Sequence, residues 1–306
     1  MQAERNRVLV TGASGFIGSQ VARHLAAVGH AITALDLRPP PEPHPAGVKM
    51  IDCDLRHGKL PDDELPHVVH LAALGGVRPS MERPLDYLDT NLGATIRLLE
   101  HARKRGLRRF IFASSSSVYG PTAGRPSKED DQLNPCSPYA ITKLQGEEWG
   151  QLFAEKHGID FIALRFFAVW GPGQRPDLAL ESFRRKILEG EAITIHGDGS
   201  QRRDLTHVSD VARAIEAALA WNGRGFEVFN VGTGRSHSVN EMLRAAEAWT
   251  GMKTKVHYGP AHPADVPATL ADVRKAEEML GWKAEASFPG RSPLPNSGKA
   301  ALGLLR

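Results

Sequence analysis

The chain has 306 residues, of which 41% are hydrophobic and 24% are charged, and its formal net charge is +3. These values are typical of a soluble globular protein with a large core, built as one large domain or two closely joined ones. The small net charge argues against a nucleic-acid surface. No apolar run reaches membrane-spanning length, residues 1–7 do not resemble a signal peptide, and Cys53 and Cys136 lack metal or disulfide spacing. We therefore predict a cytoplasmic protein.

Three glycines follow the first predicted strand, residues 7–10. Gly12, Gly15 and Gly18 are spaced three apart, and apolar residues then recur at helical spacing from Phe16 onward. A strand, a glycine turn and a helix can bind a dinucleotide pyrophosphate, because glycines allow close approach and the helix N-terminus faces the phosphates. The spacing differs from G-x-G-x-x-G, so a glycine turn without a ligand is the alternative.

Acidic residues end or follow the next two strands. Asp36 ends a strand about 20 residues after the glycines, where a carboxylate accepts hydrogen bonds from the adenosine ribose and repels a 2′-phosphate. We therefore predict NAD rather than NADP, although Arg38 could pair with a phosphate. Asp54 follows a third strand and is placed to reach the adenine amino group; a solvated loop carboxylate is the alternative.

Strand and helix patterns alternate through the first half of the chain, which predicts a parallel sheet with helices on both faces. We expect an α/β fold, a Rossmann-type doubly wound parallel sheet with a smaller C-terminal substrate-binding lobe. The predicted division is 1–170 and 171–306, with the two parts interleaving near the C-terminus. Helices are predicted at 15–28, 85–105, 138–157, 179–189, 209–221, 239–250 and 272–280.

A second segment supplies groups that can move a proton. Tyr139 and Lys143 are four residues apart on a predicted helix, so both project from one face. A nearby ammonium and a positive nicotinamide both stabilise a phenolate and would lower the tyrosine pKa. Ser115, at the end of the preceding strand, can hold a substrate oxygen. We interpret these three as the catalytic residues; an incidental surface pair is the alternative for Tyr139 and Lys143.

These segments jointly resemble the extended short-chain dehydrogenase/reductases that act on nucleotide sugars. The resemblance rests on residues 11–19, 70–73, 91, 114–120, 137–143, 165–167, 197–199 and 203–204. It implies NAD kept bound through turnover, a nucleoside-diphosphate sugar in the smaller lobe, and a homodimer that pairs the helices near 85–105 and 138–157.

The resemblance also assigns site residues. The cofactor-binding residues it implies, together with those argued above, are Gly12, Gly15, Phe16, Ile17, Gly18, Asp36, Asp54, Leu55, Leu71, Ala72, Ala73, Asn91, Tyr139 and Lys143. The substrate-binding residues it implies are Arg78, Ser116, Ser117, Ala168, Arg175, Arg203 and Asp265. Arg203 would bind the diphosphate and Asp265 would close the nucleotide pocket, whereas a metal site is not expected.

The two residues directly after Ser115 narrow the choice of reaction. Each branch of the family resembled begins by oxidising the sugar C4 hydroxyl. Dehydratases then carry an Asp-Glu pair, and decarboxylases a glutamate, where this chain has Ser116 and Ser117. Neither serine can act as that general base. The resemblance therefore favours C4 epimerisation, which needs only oxidation, rotation of the keto sugar and return of the hydride.

The identity of the sugar is suggested by three segments: residues 76–80, the serines at 114–117, and residues 171–179. These segments look most like those of bacterial UDP-glucuronate 4-epimerases. In that group the arginine of R-P-D, here Arg175, binds the sugar carboxylate; a phosphate-binding or structural arginine is the alternative. Oxidation at C4 makes a β-keto acid that loses carbon dioxide readily, and a bidentate guanidinium would stabilise its carboxylate.

Other functions stay open. UDP-glucose or UDP-N-acetylhexosamine 4-epimerisation is the first alternative, and UDP-glucuronate decarboxylation and a catalytically silent binding protein come after it. Two departures from the family pattern bear on this choice: Ala168 lacks the side-chain hydrogen bond that Thr or Asn would give, and Trp170 adds bulk in place of a tyrosine. Residues 287–306 lack the usual amphipathic last helix.

Overall fold

The computed structural model describes residues 7–122, 124–261 and 266–289 of the chain. The strands in these ranges are β1 (Arg7–Thr11), β2 (Ala31–Asp36), β3 (Lys49–Asp52), β4 (His67–His70), β5 (Arg109–Ser115), β6 (Asp160–Phe166), β7 (Ala168–Trp170), β8 (Ile193–His196), β9 (Arg202–His207), β10 (Phe226–Val231), β11 (Ser236–Ser238) and β12 (Val256–Gly259). The α-helices are α1 (Phe16–Ala27), α2 (Val77–Glu82), α3 (Pro84–Tyr87), α4 (Ala94–Arg103), α5 (Pro138–His157), α6 (Ala179–Glu189), α7 (Val208–Ala220), α8 (Val239–Thr250) and α9 (Arg274–Leu280).

A parallel sheet in the order β10-β6-β5-β4-β1-β2-β3 forms the centre of the molecule. Alternate residues of its strands face opposite sides. Val8 and Val10 therefore join the core under α1 and α7, whereas Leu9 joins the core under α4 and α5. Because both faces are covered, β5 and β6 are buried along their whole length. The predicted Rossmann-type fold class is confirmed.

The strand order reverses between β1 and β4, and this positions the site. In doubly wound sheets, ligands bind beyond the carboxyl ends of the strands at such a switch point. Thr11, Asp36, His70 and Ser115 end β1, β2, β4 and β5 and so lie along one edge. Residues that are far apart in sequence are thereby brought to one side of the sheet.

Helix α5 carries the predicted tyrosine and lysine, and its position is closely determined. It begins at the N-cap Ser137, whose side chain accepts from the Ala140 N–H, and it ends at Gly158 in the left-handed conformation. Gly146 and Gly150 bring it so close to the sheet that a Cβ at either position would collide with the ring of Phe112 or Phe161. The helix therefore packs directly on β5 and β6.

Several predicted helix bounds match the structure, including those of α5, α6 and α8. The helix predicted over 85–105 is divided instead into α3, a π-helical segment at Leu88–Gly93, and α4. Helix α2 was not predicted. None of the helices in the described ranges has the length and apolar character that a membrane crossing requires.

A second group of elements packs beside the carboxyl edge of the large sheet. It contains the sheet β11-β9-β7 and the pair β12-β8, with α6 and α8 around a separate core. The buried carboxylate of Asp204 on β9 accepts from the backbone N–H groups of Thr233, Gly234 and Ala271. Strand β10 lies after residue 170 but pairs with β6 in the large sheet, and the division of the chain at residue 170 stays a prediction.

Candidate active site

A cavity of about 500 Å³ opens at the carboxyl edge of the sheet, beside the switch point. Eight residues predicted to bind the cofactor line it: Gly12, Gly15, Asp36, Asp54, Leu55, Leu71, Ala72 and Ala73. Leu35, Leu37, Arg38, Cys53, Arg56, Leu74, Arg83, Asp86, Thr90 and Ala94 also line it. Apart from Arg38, the sequence analysis did not nominate this second set as cofactor-binding. Four of its members, Arg83, Asp86, Thr90 and Ala94, come from the segment around α3 and α4, whose approach to the cavity no local pattern reveals.

The glycine turn packs closely against neighbouring backbone and leads into the start of α1. Gly12 has φ +68°, and a Cβ there would come within 2.7 Å of the Ala72 backbone nitrogen. Gly18 is buried, and a Cβ on it would collide with the Gly12 carbonyl. Phe16 and Ile17 begin α1, and the N-cap residue Gly15 supplies no side-chain cap. Such a helix start presents backbone N–H groups to an anion, and this turn therefore fits a pyrophosphate.

Two carboxylates border the cavity in different environments. Asp36 accepts from the backbone N–H groups of Ser14 at 2.9 Å and of Arg38 at 3.1 Å, which fixes its carboxylate at the end of β2. Asp54 is bound by the Arg56 side chain at distances from 2.6 to 3.2 Å, and these hydrogen bonds lower its pKa to about 2. A carboxylate has about four acceptor positions, so each group can still accept from a ribose hydroxyl or an amino group in addition to these protein donors.

Asn91 lies behind the cavity wall. It is buried in the π-helical segment, where it accepts from the Leu74 N–H at 2.7 Å and donates to the Leu74 carbonyl at 3.0 Å. It also donates to Thr142 on α5 at 3.3 Å. The structure therefore shows it holding the loop after β4, and direct contact with a cofactor stays a prediction.

The predicted proton-transfer residues are brought together at the carboxyl end of β5. Ser115 ends β5 and hydrogen-bonds with the Tyr139 side chain. The Lys143 Nζ donates to the Ala113 carbonyl at 2.7 Å and stands 5.9 Å from the centroid of the Tyr139 ring. A hydroxyl, a phenol and an ammonium are thus assembled from one strand end and one helix face.

The pKa shifts at this site are dominated by burial. Burial raises the pKa of Tyr139, and its hydrogen bond with Ser115 and the charge of Arg175 only partly oppose the rise. Burial lowers the pKa of Lys143 to about 8, opposed by the Glu147 carboxylate. Among the protein groups alone, desolvation of the phenolate outweighs the nearby positive charge. The expectation that the ammonium and a bound nicotinamide together lower the tyrosine pKa stays a prediction.

A buried network lies beneath these three residues. Glu147 on α5, one turn after Lys143, accepts from the Ser114 hydroxyl and is bound bidentately by Arg165, with Nε···Oε1 at 3.0 Å and Nη2···Oε2 at 2.7 Å. Arg165 also donates to the Tyr119 hydroxyl at 3.0 Å. The sequence analysis missed Glu147, although its position four residues after Lys143 on the same helix face was a usable signal.

The guanidinium of Arg175 lies against the loop that follows β4. Its Nη1 lies so close to Gly75 that a Cβ there would collide with it. The Tyr87 hydroxyl donates to the Gly75 carbonyl at 2.9 Å, and the Tyr87 and Tyr139 rings meet edge to face at 6.2 Å. The charge of Arg175 lowers the pKa of both phenols against the effect of burial. A guanidinium thus stands beside the proton-transfer group.

The other predicted substrate residues are more dispersed. Ser116 and Ser117 form a short turn directly after Ser115, and the Ser115 hydroxyl donates to that of Ser117 at 3.1 Å. Arg78 is exposed on α2, and Ala168 is partly buried on β7. Arg203 on β9 donates to the Val266 carbonyl at 2.9 Å. Asp265 lies outside the described residues.

Trp170 belongs to a core and not to this site. It is buried among the apolar residues of the second group of elements, stacked on Trp249 at 5.8 Å and meeting Phe288 edge to face at 5.3 Å. Its added bulk is therefore taken up by an aromatic cluster. Within the ranges that the structure describes, no three His, Cys, Asp or Glu residues are grouped as metal ligands.

Comparisons with known proteins agree with this geometry. A family model described as the NAD dependent epimerase/dehydratase family matches residues 8–232. The UDP-glucuronate 4-epimerase of Thermodesulfobacterium geofontis is 35% identical over 299 residues, covering 92% of each chain. The protein MoeE5, solved with UDP-glucuronic acid and NAD and also with UDP-glucose and NAD, is 44% identical with a TM-score of 0.87, covering 92% of this chain and 94% of that chain. The UDP-glucuronic acid 4-epimerase of Bacillus cereus, solved with UDP-glucuronic acid and NAD, is 31% identical with a TM-score of 0.83, covering 92% and 95%.

Proposed function

Because the chain belongs to the NAD dependent epimerase/dehydratase family, we propose that it catalyses the NAD-dependent 4-epimerisation of a UDP-sugar, converting UDP-glucuronate to UDP-galacturonate. The observation that carries this proposal is the guanidinium of Arg175, which lies against Gly75 and whose charge acts on the phenol of Tyr139. A group that binds carboxylates thereby adjoins a group that can take a hydroxyl proton.

The cavity at the sheet edge is the site for NAD. The turn at Gly12 and Gly15 would hold the pyrophosphate, and Asp36 would accept from the adenosine ribose hydroxyls. Asp54 and Leu55 would border the adenine, with Leu71, Ala72 and Ala73 along the wall. Bound there, NAD accepts a hydride from the sugar C4 and later returns it to the other face.

The chain's own groups manage the proton. Tyr139 takes the proton of the O4 hydroxyl, and Ser115, which hydrogen-bonds with the Tyr139 side chain, is placed to hold the same oxygen. Lys143, held by the Ala113 carbonyl, supplies positive charge to the phenolate. Because burial alone raises the pKa of Tyr139, this charge is needed when the cofactor and substrate are in place.

Ser116 and Ser117 support epimerisation over elimination or decarboxylation. They adjoin Ser115 and carry hydroxyl groups, so they can contact a sugar but cannot act as a carboxylate base toward C5. The keto sugar would then rotate, and the hydride would return to the opposite face. Arg203, Arg78, Ala168 and Asp265 are proposed to line the nucleotide-sugar pocket, with residues 171–306 supplying most of it.

A UDP-glucose 4-epimerase is the second candidate. MoeE5 is similar to this chain and has been solved with either UDP-sugar, so the uncharged sugar belongs in every assay. The substrates of the two candidate functions differ only at C6 of the sugar, where UDP-glucuronate has the carboxylate that Arg175 would bind.

The direct test is a product assay with UDP-glucuronate that carries deuterium at C4. We expect UDP-galacturonate that retains the label, because the hydride stays within the active site, and we expect Tyr139→Phe to abolish turnover. Exchange of the C5 hydrogen with solvent would indicate dehydratase chemistry, and release of carbon dioxide would indicate decarboxylation. Either result, or turnover of UDP-glucose alone, would contradict the assignment.

We further propose a homodimer. Six large apolar side chains on α2, α3, the π-helical segment and α5 are exposed: Met81, Leu85, Leu88, Ile141, Trp149 and Leu152. Exposed apolar patches on helices are typical of interfaces between protein chains, and light scattering of Leu85→Asp against the unchanged protein tests the proposal. We also propose a cytoplasmic location, in keeping with the free thiols of Cys53 and Cys136.

A further inference from the structure

The guanidinium assigned to the sugar carboxylate already binds a carboxylate of its own chain. Arg175 donates from Nε to Asp177 Oδ1 at 3.0 Å and from Nη2 to Oδ2 at 2.8 Å. This is the bidentate geometry in which guanidinium groups recognise carboxylates. The remaining nitrogen, Nη1, lies against Gly75. The best carboxylate-binding edge of Arg175 is therefore occupied by Asp177.

The pair is open to solvent, with the Arg175 side chain 39% exposed and the Asp177 side chain 57% exposed. Ion pairs at such exposure contribute little free energy, because water solvates both partners when they separate. An incoming carboxylate can therefore displace Asp177 at small cost. The aspartate would then lie beside a second anion on the same guanidinium, which is unfavourable.

We propose that Asp177 is a specificity-determining residue that competes with the sugar carboxylate for Arg175. This inference rests on the proposed function and deepens it. A uronate has to displace Asp177 before it binds bidentately, whereas an uncharged sugar leaves the pair intact. Asp177 therefore weakens binding of the charged sugar selectively and brings the affinities for UDP-glucuronate and UDP-glucose closer together.

The proposal is tested with Asp177→Asn, which keeps the shape of the side chain and removes its charge. The NAD-loaded variant and the unchanged protein are compared by calorimetric binding of UDP-glucuronate and of UDP-glucose, and by KM and kcat for each. We expect the Kd and KM for UDP-glucuronate to fall about two- to five-fold, the range that an exposed ion pair can contribute. The values for UDP-glucose should change less than about 1.5-fold.

Two controls isolate the contact. Glu189→Gln removes a carboxylate from another exposed arginine pair, with Arg185 at 4.0 Å, and should leave the sugar preference unchanged. In the background of Arg175→Met, Asp177→Asn should have no effect on UDP-glucuronate binding, because the shared partner is gone.

Three results would overturn the inference: weaker uronate binding in Asp177→Asn, an equal change for both sugars, or an effect that persists without Arg175. The first would mean that Asp177 orients Arg175 for binding, and the others that it acts through general charge or structure. Binding is measured separately from turnover, so the two proposals can fail independently. If the protein without substitutions binds UDP-glucuronate but does not epimerise it, the proposed function is contradicted, whereas the effect of Asp177→Asn on sugar binding can still be measured.

Discussion

Two of the bidentate arginine–carboxylate pairs in the described part of the chain have nearly the same geometry in opposite environments. Arg165 and Glu147 meet through Nε and Nη2 at 3.0 and 2.7 Å, with both side chains 4% exposed. Arg175 and Asp177 meet through the same atoms at 3.0 and 2.8 Å, with side chains 39% and 57% exposed. One pair lies beneath the proton-transfer residues and the other lies beside them.

Burial decides what each pair can do. Glu147 has no access to water that could replace Arg165, so the two charges hold β6 and α5 together and cannot exchange partners. Asp177 can be replaced by water or by another carboxylate, so its arginine remains available to a ligand. Similar hydrogen-bond geometry thus serves as scaffold in one region and as an exchangeable binding edge in the other.

The largest expected effect is on the buried pair. Glu147→Gln leaves Arg165 with an uncompensated buried charge, and we expect the free energy of unfolding to fall by about 3–5 kcal/mol. Chemical denaturation measures this value, and Asp177→Asn, its exposed counterpart, should change it by less than about 1 kcal/mol. The double replacement of Glu147 with Leu and Arg165 with Met should lower the free energy of unfolding less than Glu147→Gln does. Equal losses of stability in Glu147→Gln and Asp177→Asn would contradict the proposed difference between the two pairs.

Arg175→Met should affect catalysis without affecting stability. Loss of charge-assisted hydrogen bonds to a substrate carboxylate is expected to lower kcat/KM for UDP-glucuronate about ten- to hundred-fold. The value for UDP-glucose should change less than about three-fold, and the free energy of unfolding less than about 1 kcal/mol. Parallel losses for both substrates would show that Arg175 does not bind the carboxylate.

The dependence of kcat on pH should reflect the buried residues Lys143 and Glu147 and not the exposed pair of Arg175 and Asp177. Lys143 keeps its proton below its pKa of about 8 and loses it above, so kcat of the NAD-loaded enzyme should fall as the pH rises through about 8. Three titratable groups face it: Glu147, which raises its pKa; Tyr139; and His70, whose pKa burial lowers to about 3, so that it is neutral.

Removing the negative charge in Glu147→Gln should move this alkaline limb to lower pH, whereas Asp177→Asn should leave it in place. The profiles are measured at a temperature where Glu147→Gln remains folded. An alkaline limb that does not move in Glu147→Gln would remove that carboxylate from the electrostatics of Lys143.

The smallest expected effect is that of salt. Raising the ionic strength from about 0.15 to 1 M shortens the screening length from about 8 to 3 Å. We expect the preference for UDP-glucuronate over UDP-glucose to fall about two- to three-fold, because the Arg175 edge is exposed. A preference that is independent of salt would indicate that the carboxylate is bound in a site as shielded as the Glu147 pair.

The cofactor side could be predicted largely from sequence. Gly12 and Gly15 follow a strand directly, Asp36 ends the next strand, and Tyr139 and Lys143 are one turn apart, so local patterns place each group on its element. The alternation of strands and helices then predicts that the carboxyl ends of parallel strands share one edge. The confirmed fold class follows from these short-range rules.

The residues proposed to bind the sugar, and the buried network of Glu147 and Arg165, were harder to predict from the sequence. Arg175 was nominated from a short motif that also contains its partner Asp177, but its approach to Gly75 depends on how a loop from the second half of the chain packs on the loop after β4. Trp170 looked like a change near the site, but its ring packs in a separate core. Glu147 was overlooked although it shares a helix face with Lys143, because only the docked helix shows that its carboxylate is buried against Arg165.

The amino-acid sequence by itself determined which chemical groups the chain offers: a glycine turn proposed for a pyrophosphate, a carboxylate proposed for a ribose, and a hydroxyl, a phenol and an ammonium proposed for proton transfer. These depend on residue type and on spacings within one turn or one strand. Only the tertiary structure decided which charges are buried and which remain exchangeable, because solvent exposure depends on packing between distant segments. That difference separates Glu147, which holds α5 in place, from Asp177, which leaves Arg175 open to a substrate.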